Sequence, residues 1–355
     1  METQKNLSIN NISVDIIRVV AIVVVLFLHA VCYGVGDALI FNELFILRGW
    51  IVNIYLCIGR MGVPLFIMLT GALLLAPSKK DEDLSVFFKK RFSRIGLPVI
   101  FWATIYFLWD KLPITQLYVI NGVLSIPYIT FWYIYTLVGL YLIAPLIRVM
   151  VAHFTSKHFK YFTVLWLVGT LLPVWVDFLS GGMFSVYGNL FLIPLSLGYF
   201  IMGSYLVRLQ IRRKILVALF ISSIALTAIG TFFITSLEGG SVFFFQEYYS
   251  PTIIMASVSL FMLLNSFSKP NTSQTEKPTW KYRIMHSISQ NSFSIYMFHI
   301  IILALLRFGF FGFELNGYTL DAIVSVPLLV VLTLLFSLIV IVPLKKVPGL
   351  RRLLG

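Results

Sequence analysis

The sequence predicts an all-α, polytopic membrane protein with about ten transmembrane helices and both termini on the cytoplasmic side. Three observations lead there: an apolar composition, repeated apolar runs long enough to cross a bilayer, and a lopsided distribution of Lys and Arg. Of the 355 residues, 59% are apolar and only 12% are charged, against roughly 45–50% and about 25% in soluble domains. The mean hydropathy is +0.94.

A helix needs about 20 predominantly apolar residues to span the hydrocarbon core. Candidate runs lie near 14–33, 49–76, 95–110, 128–147, 161–179, 189–207, 215–235, 251–267, 288–306 and 322–343. The second is long and holds Arg60, Gly62 and Pro64, so a kink or tilt is expected in it. The eighth is the shortest, ending near a polar stretch at 268–287.

Ten crossings place 22 of the 27 Lys and Arg residues on one side. These include Lys89, Lys90, Arg91 and Arg94 after the second run, Arg148 after the fourth, and Lys345, Lys346, Arg351 and Arg352 after the last. They also include Lys5, Lys79, Lys80, Lys269 and Lys277. Only Arg48, Lys111 and Arg307 fall on the other side, while Arg18 and Arg60 fall within runs. Such an excess marks the cytoplasmic face. The net charge of +13 is therefore a topology signal and excludes a nucleic-acid reading. The polar amino terminus precedes an apolar run without a cleavage site, as expected of a retained span rather than a signal peptide. Cys32 and Cys57 match no metal or redox spacing. With no polar stretch large enough for a soluble domain, residues 1–355 read as one membrane domain. No internal repeat is visible, which weighs against repeat-built transporter folds.

Chemistry-bearing residues interrupt the runs. Asp15, Arg18 and His29 lie in the first, and a titratable side chain inside a bilayer is costly enough to mark a functional site. Arg18 and His29 are eleven residues apart, about three turns and roughly 16 Å along a helix, so they share a face. One stripe thus carries a cation near the cytoplasmic surface and a histidine deeper in, suited to act as base or nucleophile. The plainer alternative is an Asp15–Arg18 ion pair and a core histidine. Lys89, Lys90, Arg91 and Arg94 form a basic cytoplasmic loop, read either as an anchor to anionic headgroups or as a phosphate site. Arg60 needs a partner or a wet cavity; Asp110, Asp177, Glu238, Glu247, Glu314 or an anionic substrate could serve. Tyr296 and His299 share a face of the ninth run, and Trp132 and Tyr133 belong to an aromatic cluster of the interfacial or sugar-binding kind. His153 and His158 read as solvated.

The spacing Asp15-x2-Arg18-x10-His29 resembles the first-helix motif of the membrane acyltransferase-3 family. Four further segments resemble the family in order: VPLFIMLTGALLL at 63–75, KKRFSRIGLP at 89–98, FWYIYTLVGLYLIAPLIR at 131–148 and NSFSIYMFHI at 291–300. The likeness spans nearly the whole chain and is nearest the stand-alone surface-polysaccharide O-acetyltransferases. Thr70 departs from it, standing where the family more often has serine. The resemblance implies a plasma-membrane enzyme that moves acetyl groups from cytosolic acetyl-CoA to hydroxyls of a glycan or lipid-linked saccharide, without a metal. It makes His29 the catalytic histidine, assisted by Asp15 and by Arg18 at the thioester end of the donor. Arg18, Lys90, Arg91 and Arg94 would hold CoA, and Arg60, Trp132, Tyr133, Tyr296 and His299 would face the acceptor. A proton-coupled transporter, with Arg18, His29 and Arg60 lining a path, is the alternative.

Overall fold

In the computed structural model of the chain, every regular element among the described residues is helical. Those residues are 9–34, 47–77, 82–110, 126–179, 192–238, 244–267, 279–307, 309–310, 312–315 and 320–355. Lys5, Lys79, Lys80, Lys111, Lys269 and Lys277 lie outside them. In chain order the helices are α1 (Asn11–Gly34), α2 (Leu47–Gly59), α3 (Gly62–Leu74), α4 (Leu84–Arg91), α5 (Leu97–Asp110), α6 (Ile126–Ala152) and α7 (Ser156–Leu179). There follow α8 (Leu192–Leu206), α9 (Arg213–Glu238), α10 (Pro251–Asn265), α11 (Trp280–Arg307), α12 (Ala322–Leu344) and α13 (Leu350–Leu354).

Eight stretches of the described residues are long and apolar enough to cross a membrane, with α2 and α3 forming one stretch and α4 and α5 another. The apolar part of α8, Leu195–Leu206, is shorter, and α7 runs on into residues whose side chains are not described. Large apolar side chains face outward along α6, α9 and α12, among them Leu142, Leu146, Ile221, Phe233, Leu335 and Ile339. On a soluble protein such a band would be an aggregation hazard; in a bilayer it is the surface that meets lipid.

α1 sits at the centre, packed against α2, α3, α10, α11 and α12. Its apolar residues run all round the helix, as burial on every side requires. The expected kink in the second run is a full break. α2 ends at Gly59 and α3 begins at Gly62, because Pro64 has no N–H to continue the ladder across Arg60. Both flanking glycines press on α1, Gly59 against the Leu28 backbone and Gly62 against the Ala21 carbonyl and Val25. The break thereby sets Arg60 beside the His29 end of α1.

The basic segment 89–94, expected as a loop, is helical. Asp83 caps α4 by accepting from the Ser85 and Val86 amides, and a π-helical turn at Phe92–Gly96 leads into α5. The wider turn absorbs Pro98, whose missing N–H would leave an α-helical carbonyl unpaired. Likewise α11 starts at Trp280, so the last part of the polar stretch 268–287 is helix.

Polar ties fix the remaining levels. Tyr106 on α5 donates to the Met297 carbonyl of α11 at 2.7 Å. Arg148 near the end of α6 donates to the Leu74 carbonyl at 2.9 Å. Asn53 donates to the Ala228 carbonyl of α9 at 3.0 Å and accepts from Gln246 at 2.7 Å. That bond anchors the short 3-10 turn at Phe244–Gln246, which delivers Glu247 and Tyr248 toward Arg60.

α3 and α8 meet backbone to backbone: Gly71 lies on the Phe200 carbonyl and Gly203 on the Met68 carbonyl. Small residues permit this approach where lipid gives no hydrophobic drive between helices. Gly203→Val should therefore lower stability by roughly 1–3 kcal/mol through overpacking, read as an earlier thermal unfolding transition in detergent. Gly169→Ala, a position with open space around it, should leave the transition in place.

Candidate active site

The site is built along the seam between α1 and α11. Near the start of α1, Asp15 is buried with both carboxylate oxygens engaged by α11. His286 Nδ1 lies 2.8 Å from Oδ2, and Ser289 Oγ donates to Oδ1 at 2.5 Å. Near the end of α1, His29 Nδ1 lies 2.9 Å from His299 Nε2, with ring centroids 4.8 Å apart. The residue numbers rise together in these pairs, so α1 and α11 run parallel. Asp15 and His29 are fourteen residues apart, close to four turns, which turns both toward the same partner helix.

Arg18, one turn above Asp15, is half-buried. The Asp15–Arg18 ion pair considered from sequence does not form among the described contacts, since Asp15 is held by α11. Arg18 instead lies within electrostatic reach of Asp15, Tyr141 and Arg94. Tyr141, on α6, is within the same reach of Arg91, Arg18 and Arg94. Three arginines from two distant stretches of chain thus lie within electrostatic reach of one phenol. Among the described residues no carboxylate stands within 4.0 Å of any of the three.

Phe87 braces this basic end. The Arg91 guanidinium sits 4.6 Å over its ring and that of Arg148 5.0 Å. Lys90 is drawn to Glu82 at 3.0 Å, and Arg148 reaches the other Glu82 oxygen at 3.4 Å. Burial opposes ionisation of Glu82, but its hydrogen bond from Lys90 and the charges of Lys90, Arg91 and Arg148 prevail and hold its carboxyl below the ordinary value.

At the His29 end, the residues expected to face an acceptor form one connected wall. Arg60 lies 5.1 Å over the Tyr248 ring and within electrostatic reach of Glu247 and His29. Tyr248 meets Trp132 at 5.1 Å, Trp132 meets Tyr133 at 6.5 Å, and Tyr133 meets Tyr296 at 5.2 Å. Tyr296 lies 5.6 Å from His299, closing the chain at the histidine pair. Of the acids considered for Arg60, Glu247 lies within its electrostatic reach, whereas the side chains of Asp110, Asp177 and Glu238 lie outside the described residues. His153 and His158 are exposed. No cluster of three or more His, Cys, Asp or Glu that could hold a metal occurs among the described residues.

Sequence reasoning missed His286, Ser289, Tyr141 and Tyr248. His286 fell inside a stretch read as loop. The one signal was coarse: α1 carries polar groups near both ends, Asp15 and His29, so a partner helix with polar groups at both levels is called for, but spacing does not say which helix that is.

A family model described as an acyltransferase domain matches residues 11–342. Comparison with curated proteins and with solved structures gives no match.

Two outcomes follow from the polar nodes. Asp15→Ala strands the Ser289 hydroxyl and should lower stability by roughly 1–3 kcal/mol; Asp15→Asn, which keeps an acceptor oxygen, should lose less in the same unfolding assay. Glu82 has a depressed folded value, so its contribution is complete above the ordinary 4.5 and vanishes as pH falls through the lower folded value. Glu82→Gln should therefore unfold earlier than the parent by about 1 kcal/mol at pH 7, and the gap should close in titrations carried below pH 4.

Proposed function

Because the chain belongs to this acyltransferase family and is a multi-pass membrane protein, we propose that it transfers an acetyl group from cytosolic acetyl-CoA to a hydroxyl of a cell-surface or lipid-linked glycan. On this reading it is a stand-alone surface-polysaccharide O-acetyltransferase of the plasma membrane, with ten crossings and cytoplasmic termini. The observation that carries the reading is the α1 stripe. Near one end Arg18, Arg91 and Arg94 lie within electrostatic reach of Tyr141, and the other ends at His29 beside an aromatic wall.

The donor is polyanionic at one end and reactive at the other. Arginines suit its phosphates because their planar forks bind two oxygens at once and stay charged. Arg18 stands deeper than Arg91 and Arg94 and meets the donor nearer its thioester. The rise of about 16 Å from Arg18 to His29 is a distance for an extended pantetheine arm to cover. The acceptor sugar then lies against Trp132, the half-buried ring of the wall, with Tyr133 and Tyr296 buried behind it and Arg60 and Tyr248 offering polar contacts. His29 takes the hydroxyl proton as the oxygen attacks the thioester carbonyl, and returns it to sulfur as the C–S bond breaks. Holding both substrates in line supplies much of the rate.

The test is transfer of label from acetyl-CoA to a glycan acceptor in proteoliposomes. His29→Ala should lower kcat by about 10²–10⁴-fold. Arg91→Ala and Arg94→Ala should each raise the donor KM by roughly 10-fold or more with a smaller change in kcat. Flux of a solute without acetyl consumption would favour the transporter instead, and full transfer by the His29→Ala protein would remove His29 from the mechanism.

A further inference from the structure

The contacts of His299 bear on the one nitrogen that does the chemistry. His299 is fully buried, and its Nδ1 lies 2.5 Å from the Tyr296 carbonyl oxygen. A carbonyl can only accept, so Nδ1 of His299 carries the hydrogen and, in the neutral ring, Nε2 holds a lone pair. That lone pair points at His29 Nδ1, 2.9 Å away. His29 Nδ1 must then be the donor. The Val25 carbonyl, four residues back, also bonds the His29 ring and is likewise an acceptor; His153 makes the same backward contact to Val149 through Nδ1 at 2.9 Å. The network fixes the tautomer without reference to any observed hydrogen.

We infer that His299 is a positioning residue that holds His29 in the Nδ1–H tautomer, so that His29 Nε2 presents its lone pair to the reacting groups. The inference rests on the acyl-transfer reading of the site. When Nε2 takes the proton from the acceptor hydroxyl, the hydroxyl oxygen bonds to the thioester carbon. The C–S bond then breaks and Nε2 returns the proton to sulfur. While His29 is an imidazolium, its Nδ1–H···Nε2 bond to His299 is charge-assisted and strengthens. His299 does not carry the proton onward, because its own Nδ1–H is tied to the Tyr296 carbonyl. The role is the one a buried carboxylate plays beside a catalytic histidine in hydrolases. Here a neutral ring performs it, which avoids burying a further charge at membrane depth. Tyr106 supports the arrangement, since its bond to the Met297 carbonyl fixes α11 within one turn of His299.

The experiment compares His299→Leu, which removes the acceptor, with His299→Gln, whose side-chain oxygen can replace Nε2. Full-length proteins in proteoliposomes are assayed for acetyl transfer and for carbethoxylation of His29 by diethyl pyrocarbonate, followed by mass spectrometry. The expected result for His299→Leu is a kcat lower by about 100-fold with donor KM unchanged and His29 carbethoxylated several-fold more slowly. His299→Gln should regain about tenfold in kcat and most of the reagent reactivity. Equal impairment of the two variants, a donor KM rising in step with the loss, or wild-type kcat in His299→Leu would each overturn the positioning role. Absence of acetyl transfer by the wild-type protein would sink the functional reading, yet the carbethoxylation rates would still decide the tautomer.

Discussion

The parallel seam between α1 and α11 sets the level of nearly every functional group. Two polar nodes pin it, Asp15 to His286 and Ser289 at one end and His29 to His299 at the other. In a bilayer, helices gain little from burying apolar surface against one another, so packing and interhelical hydrogen bonds must decide register. Valine and isoleucine make up most of the apolar residues of α1 and would pack tolerably in several registers. Sliding α11 by one turn would separate both nodes at once and leave buried polar groups unpaired. The nodes therefore convert a permissive apolar contact into one alignment, and that alignment places His299 against His29.

The same seam decides what surrounds Arg18. On an isolated helix, Asp15 and Arg18 at i and i+3 would attract each other. α11 offers Asp15 two donors within 2.8 Å, which satisfies the carboxylate from the other side. Arg18 is then left among Tyr141, Arg91 and Arg94. Like charges within electrostatic reach of one another repel, and an anion entering between them relieves that repulsion. Glu82 reduces the strain at the rim by engaging Lys90 and Arg148, yet it does not reach the three arginines within 4.0 Å among the described pairs.

Much of this was legible in the sequence, for physical reasons that also mark where legibility stopped. Composition and apolar run length read the helical membrane class directly, because solvent dictates both. Glycine and proline around Arg60 announced the break, since their backbone chemistry is local. Spacing on one helix also carried Arg18 and His29 to a common face. What could not be read was any pairing between helices far apart in the chain: His29 with His299, Asp15 with His286, Arg60 with Tyr248. Those depend on which α1 neighbour fills which face, and periodicity cannot tell two apolar helices apart. The basic segment at 89–94 failed for another reason. Lys and Arg suggested a solvated loop, whereas the Asp83 cap and the π turn before Pro98 let a helix carry the same charges to the same surface.

The direction of α1 and α11 also constrains the crossings between them. Parallel helices require an odd number of intervening crossings. The stretches α2–α3, α4–α5, α6, α9 and the one ending in α10 make five, so α7 and α8 either both cross or neither does. The contacts of α8 favour crossing. In its first half Ser196 bonds Tyr249 at 2.7 Å, and at its midpoint Tyr199 donates to the Tyr248 carbonyl at 2.5 Å, beside the tyrosine that meets Arg60. Near its end, Tyr205 stacks on Phe159 at 4.4 Å, close to the start of α7 and the basic end where α6 finishes. α7 runs antiparallel beside it, with Trp166 bonded to the Leu195 carbonyl and Thr163 to Met202. Crossing by both would bring the eight stretches to the ten read from the sequence. Under the proposed acyl transfer the basic end of α1 is where a polyanionic donor arrives, and His29 lies at the far end of the stripe that starts there.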